Sequence, residues 1–151
     1  MRSSEVSLMR VLICGGRDVG RPPFIRATSS RDALADITRA SEEISVLMEN
    51  LDKIHDEIGF NHIICGLSKG AANLALDWAE ARNVPYTLFR SHRGFFRRES
   101  SISRNLRMLR DGKPDLCIAF DGAQQTEILI KNAVTMRIKV IRIKNNKRFD
   151  Q

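Results

Sequence analysis

Five short apolar runs, separated by stretches with helical periodicity, constrain this 151-residue chain more than any other feature. The runs are Met9 to Cys14 (MRVLIC), His62 to Cys65, Val84 to Phe89, Asp115 to Phe120 (DLCIAF) and Ile138 to Ile143. Most are continuously apolar rather than alternating. A strand with water on one face alternates, whereas a strand covered on both faces does not. Strands of this kind alternating with helices predict an α/β fold: one Rossmann-like domain with a mainly parallel sheet of about five strands and helices on both faces. The expected core spans about residues 9–143, with 1–8 and 144–151 as flexible ends.

The helical patterns differ in kind. Between Arg31 and Ile58, apolar residues including Ile37, Ala40, Ile44, Leu47, Leu51 and Ile54 recur in steps of three and four. That is a heptad-type seam. Ser30 or Asp32 suits the N-cap, and Gly59 ends the run. Such a helix would be about 42 Å long, whereas five-residue strands make a sheet only about 20 Å deep. Either the helix breaks near Ser41 or it overhangs the sheet, and an overhanging seam is a candidate homo-oligomer surface. After His62–Cys65, the residues Ala71, Leu74, Ala75, Trp78 and Ala79 form one apolar helix face. Their small side chains suit close packing on a sheet, and Trp78 reads as core. Further helices are expected from Ser101 to Arg110 and from Gln124 to Met136.

Charge is unevenly placed. The chain carries a formal +7. Between Arg90 and Lys113, eight basic residues meet only Glu99 and Asp111, so this stretch holds six of the seven net charges. A local basic patch points to an anionic ligand or partner. Arg97, Arg98, Arg107 and Arg110 read as a solvated face. Phe95 and Phe96 stand among these arginines, placed either to stack on nucleic-acid bases or to anchor the loop. The three cysteines, Cys14, Cys65 and Cys117, end or lie within apolar runs and form no CxxC pair. They read as buried, reduced thiols, which agrees with a cytoplasmic protein. Cys14 and Cys65 would stand side by side in the sheet. No apolar run reaches membrane-spanning length, and His55, His62 and His92 lack a second ligand at metal spacing, so no metal site is expected.

In open α/β sheets, ligands sit beyond the carboxyl ends of the strands. Three such ends carry glycine: Gly15-Gly16-Arg17-Asp18, Gly66 to Gly70, and Asp121-Gly122 followed by Thr126. Glycine permits close backbone approach, and the following helix offers free N–H groups to phosphate. Neither G-x-x-x-x-G-K-[ST] nor G-x-G-x-x-G is present, which argues against a P-loop NTPase and a dinucleotide-binding dehydrogenase. Arg17 and Asp18 read as a ligand clamp with a polar partner, or as an ion pair at the turn. Lys69 at a helix start opposes the helix dipole, which favours an anion-binding role.

The segments RVLICGGRD (Arg10–Asp18), ICGLSKGAANLA (Ile64–Ala75), RNLRML (Arg104–Leu109) and GKPDLCIAF (Gly112–Phe120) together resemble the YspA-type, cpYpsA-related branch of the SLOG superfamily. The resemblance runs from about Met9 to Ile143. It implies a Rossmann-like fold and a site for a nucleotide or nucleotide-derived ligand. By that resemblance Gly15, Gly16 and Arg17 form one ligand loop and Gly66, Ser68, Lys69 and Gly70 a second. Arg104 and Asn105 enter from the basic helix, and Gly122 and Thr126 form the last loop. The chain departs from the family pattern after the second strand, where Leu67 replaces a glycine, Lys69 an arginine and Ala72 an aspartate. Ala123 and Gln125 replace glycines in the last loop. The expected function is a nucleotide-ligand sensor or binding protein with no other cofactor. The alternatives are an N-glycosidic-bond hydrolase like the superfamily's phosphoribohydrolases, with Glu127 as its weak catalytic candidate, and a module for single-stranded nucleic acid like the DprA relatives.

Overall fold

The computed structural model describes residues 8–21, 30–94 and 97–150, with the side chains of residues 30–32 left aside. The capping groups of Ser30 and Asp32, the prolines at 22 and 23 and the Phe95–Phe96 pair lie outside the described residues. Each apolar run becomes a strand: β1 (Arg10–Cys14), β2 (His62–Gly66), β3 (Tyr86–Phe89), β4 (Leu116–Ala119) and β5 (Lys139–Lys144). Between them lie helices α1 (Ser30–Ile58), α2 (Ala71–Ala81), α3 (Ser101–Gly112) and α4 (Gln124–Thr135).

These strands pair in parallel in the order β3-β2-β1-β4-β5. β1 lies between β2 and β4, with Leu12 opposite both Ile64 and Cys117. Successive side chains of a strand point to opposite faces, so β1 serves two cores. Val11 and Ile13 pack with Leu47, Leu51 and Trp78 under α1 and α2. Leu12 and Cys14 pack with Met108, Leu109 and Leu129 under α3 and α4. Covering both faces explains the unbroken apolar character of the runs.

A sixth strand, β6 (Lys147–Asp150), pairs antiparallel with β5. The tail expected to be a flexible end is therefore a hairpin. Its turn residues Asn145 and Asn146 have φ of 51° and 58°, the left-handed geometry that two-residue hairpins need and that asparagine tolerates. Arg148 Nη1 reaches back to Glu57 Oε2 on α1 at 2.6 Å. The Asn-Asn pair carries the turn signal, which the flanking charges obscure.

α1 is continuous and does not break near Ser41. Its seam is buried at Ala40, Leu47, Leu51 and Ile54 and partly buried at Ile44, while Leu34 and Ile37 in the early turns are 64% and 55% exposed. The long helix thus overhangs the sheet at its start. At its other end Trp78 Nε1 donates to Asp52 Oδ1 at 2.9 Å, and His55 Nδ1 accepts from Phe60 N at 2.8 Å. No helix among the described residues is long and apolar enough to cross a membrane.

Leu51 is wholly buried between α1 and the sheet. Leu51→Ala is expected to destabilise the fold by about 2–5 kcal/mol. Urea unfolding followed by the fluorescence of Trp78 measures the loss, and an effect below about 1 kcal/mol would contradict this packing.

Candidate functional site

The two halves of the parallel sheet run outward from the junction of β1 and β4. Chain connections leave that junction in opposite directions, which opens a crevice at the carboxyl ends of the strands. A cleft of about 630 Å³ occupies it.

Main-chain contacts draw three loops to the rim of this cleft. Gly16 N donates to Asp121 O at 2.7 Å, and Gly16 O accepts from Ala71 N at 3.1 Å. The first contact ties the β1 loop to the β4 loop, and the second ties it to the start of α2. Side chains at the glycines would prevent this. A Cβ on Gly70, whose φ is 77°, would strike Gly16 O, and one on Gly122 would strike Thr126 Oγ1. Close backbone approach thus serves the packing of the loops on one another as well as the cleft.

One part of the cleft wall is positive, although Asp18, Glu43 and Asp121 also line the cleft. Two helices begin beside it without a side-chain cap: α2 at Gly70 and α4 at Ala123. Ala72 of α2 and Gln124, Gln125 and Thr126 of α4 line the cleft, so first-turn N–H groups of both helices lie at its wall. By contrast, Ser103 N in α3 donates to its cap, Ser100 Oγ. Arg104, only 8% exposed, lines the same cleft. Its Nη1 donates to Leu67 O at 2.9 Å and its Nη2 to Asn105 Oδ1 at 3.0 Å. Both acceptors are neutral, and no carboxylate among the described residues pairs with it. The guanidinium lies over Gly66, where a Cβ would come within 2.7 Å of Cζ. Burial, followed by the neighbouring charge of Arg17, lowers the Arg104 pKa. Arg17 itself is exposed at the cleft mouth, with Nη2 3.5 Å from Ser101 Oγ. An anion placed between these two arginines would relieve their mutual repulsion.

Hydrogen-bond acceptors and apolar surface complete the lining. Asp18 and Asp121 present carboxylates, while Cys14, Met108 and Leu129 supply apolar wall. Arg39 and Glu43 enter from α1 as an ion pair. Glu43 also accepts from Gly20 N at 2.9 Å, which pins the β1 loop to the helix.

Most residues picked from the sequence come together here. Gly15, Gly16, Arg17 and Asp18 line the cleft, as do Gly66 and Ser68, Arg104 and Asn105, and Gly122 and Thr126. Lys69 and Gly70 do not: Lys69 is exposed outside it and Gly70 is buried behind Gly16. Glu127 also lies outside the lining, with Oε2 2.6 Å from Arg142 Nη2 of β5. Arg39, Glu43, Met108 and Leu129 were not singled out, because their contribution depends on how α1, α3 and α4 are placed. Asp121 carried a local signal, a carboxylate beside a strand-end glycine.

Two expectations about the surrounding residues change. Arg107 is not part of a solvated face. It pairs with Glu99 at 2.9 Å, both side chains being about 15% accessible or less, and its guanidinium stacks on Phe89. The cysteine neighbours are Cys14 and Cys117, with sulfurs 4.0 Å apart. Cys65 belongs to the core on the opposite face, because the diagonal across β1 and β4 keeps Cys14 and Cys117 on one side.

A mainly parallel sheet with a cleft at its switch point defines a Rossmann-like α/β protein. The family model described as YspA, cpYpsA-related SLOG matches residues 9–94, and the chain belongs to that family. The matched span holds the first two loops of the cleft, while Arg104, Asn105 and Gly122 to Thr126 lie beyond it. No curated protein and no solved structure matches the chain.

The Glu99 carboxyl is held at about 2 instead of its ordinary 4.5, first by the bond from Arg107 and then by the main-chain N–H of His92. A lowered folded-state pKa means that this clasp is complete above pH 4.5 and is lost as pH falls toward 2. Proteolysis at the arginines of residues 90–98 should accelerate over that acid window. Glu99→Gln should give the same acceleration at neutral pH, and equal cleavage in wild type and variant would refute the clasp. The thiols offer a second test. The Cys117 sulfur and burial push the Cys14 thiol well up, and burial pushes Cys65 up to about 12. Native protein at pH 8 should leave all three cysteines unmodified by an aromatic disulfide reagent, and denatured protein should react at all three.

Proposed function

We propose that the cleft binds a small molecule with a phosphate group, of nucleotide type, and that the protein acts as a sensor or binding protein for it. The observation that carries this reading is Arg104: a nearly buried guanidinium with only neutral acceptors, facing a cleft walled by two uncapped helix starts. A buried cation without a carboxylate is costly, and a phosphate would supply the missing charge through short, charge-assisted hydrogen bonds. Helix N-termini are ready anion sites. Asn105 adds an amide whose Nδ2 has no partner among the described residues, and Asp18 and Asp121 suit sugar hydroxyls. Membership of the SLOG family agrees with a nucleotide-related role.

The hydrolase alternative has less support. A glycosidase needs a carboxylate beside the reacting sugar carbon. Ala72 stands where the family pattern has an aspartate, and Glu127 is engaged by Arg142 outside the cleft.

Thermal denaturation with pyrophosphate, ADP-ribose and cyclic nucleotides tests the reading. A ligand held at about 100 times its Kd adds about 2.7 kcal/mol of stability. Arg17→Ala, at an exposed position, should leave the unliganded melting temperature unchanged and weaken binding by about 10-fold or more. Absence of any shift with all of these phosphates, in wild type as in the variant, would overturn the proposal.

A further inference from the structure

A second compartment adjoins the main cleft. It has a volume of about 280 Å³ and lies between α1 and the chain leaving β4 and β5. Val19, Arg39, Glu43 and Asp121 line both spaces, so the two communicate. Their chemistry differs. The annex has apolar walls from Val46, Phe120 and Ile143 as well as Val19. Its added charged group is Glu42, and Arg39 is already paired with Glu43. Glu43 and Asp121 border both spaces, but only the main cleft adds Arg17, Arg104 and the starts of α2 and α4, whereas the annex adds the carboxylate of Glu42. The polarity of the whole cavity therefore runs from an anion-binding end to an apolar end edged with hydrogen-bond acceptors.

We infer that the annex holds the base of a purine nucleoside 5′-phosphate whose phosphate lies beside Arg104 in the main cleft. A flat heterocycle needs apolar walls for its faces and polar groups for its edge. The edge groups here are the exposed Glu42 carboxylate and the Asn145 carboxamide, neither of which has a side-chain partner among the described residues. Their acceptor oxygens suit the exocyclic amine of adenine and the N1–H and exocyclic amine of guanine. At the seam stands Asp121, whose Oδ2 accepts weakly from Asn145 N at 3.4 Å, leaving Oδ1 for the ribose hydroxyls. Phosphate, ribose and base then follow the cavity's own order. The Asn145-Asn146 turn of the β5–β6 hairpin thereby becomes part of the ligand site. Asn50 Nδ2 of α1 donates to Asn146 Oδ1 at 3.1 Å, which fixes the turn beside the helix.

This placement rests on the phosphate reading of the main cleft, and calorimetry with ribose 5-phosphate, AMP and GMP separates the two. Both nucleotides are expected to bind about 10- to 100-fold more tightly than ribose 5-phosphate, the advantage given by a buried ring. Val46→Trp fills the annex and should reduce nucleotide affinity to that of ribose 5-phosphate while leaving ribose 5-phosphate binding unchanged. That unchanged binding reports an intact fold. Asn145→Gly keeps the left-handed turn and removes the carboxamide, and it should cut the nucleotide advantage severalfold. If ribose 5-phosphate binds as tightly as the nucleotides, or if Val46→Trp weakens neither nucleotide, the base does not occupy the annex and only this inference falls. If none of the three phosphates binds, the phosphate reading falls with it.

Discussion

One main-chain clasp organises the functional end of this protein. Gly16 gives its N–H to Asp121 O and its carbonyl to Ala71 N. Two hydrogen bonds on a single residue thus join the loops after β1 and β4 to the start of α2. Each bond is modest in net energy, about 1 kcal/mol. Their structural effect is larger, because they fix where two helices begin and which wall those helix starts present. The small residues around the clasp, Gly15, Gly70 and Gly122, are needed for the loops to approach at all. A cleft built in this way is shaped by backbone geometry, and its polar character comes from helix ends together with the charged side chains that line it.

Arg104 shows how the same end of the molecule combines packing with electrostatics. Gly66 leaves room for the guanidinium, Leu67 O and Asn105 Oδ1 orient it, and burial removes its water. What is left is a guanidinium at the cleft wall that no carboxylate among the described residues pairs with directly. The other strongly basic feature is treated oppositely. Arg107 is taken up by Glu99 and Arg90 O, and Arg110 is paired with Asp111. Within the basic stretch, Arg107 braces the 90–100 loop, Arg110 pairs with Asp111 at the surface, and Arg104 lines the cleft.

The fold was legible because its signal is local and repeated. Unbroken apolar runs between helical patterns mean strands covered on both faces, and five of the six strands follow from that pattern alone. The sixth escaped because Lys147 to Asp150 has no apolar periodicity and is held by its turn and by Arg148 reaching Glu57. Gly15, Gly16, Gly66 and Gly122 line the cleft, yet the packing of the loop glycines on one another depends on three segments far apart in the chain. Lys69 illustrates the limit: it lies between Ser68, which lines the cleft, and Gly70, which is buried, but a tight turn carries it outside.

The α/β class, the strand-end glycines and the concentration of arginines are written in short segments, because hydrophobic period, turn chemistry and charge are local properties. Which arginines meet carboxylates, which cysteines are neighbours, and that α1 contributes Arg39 and Glu43 to a cavity shared with the β5–β6 turn follow only from the assembled fold. Those outcomes depend on strand order and register. Placing β1 between β2 and β4 brings residues a hundred positions apart within hydrogen-bonding distance, and nothing in a local stretch of sequence carries that information.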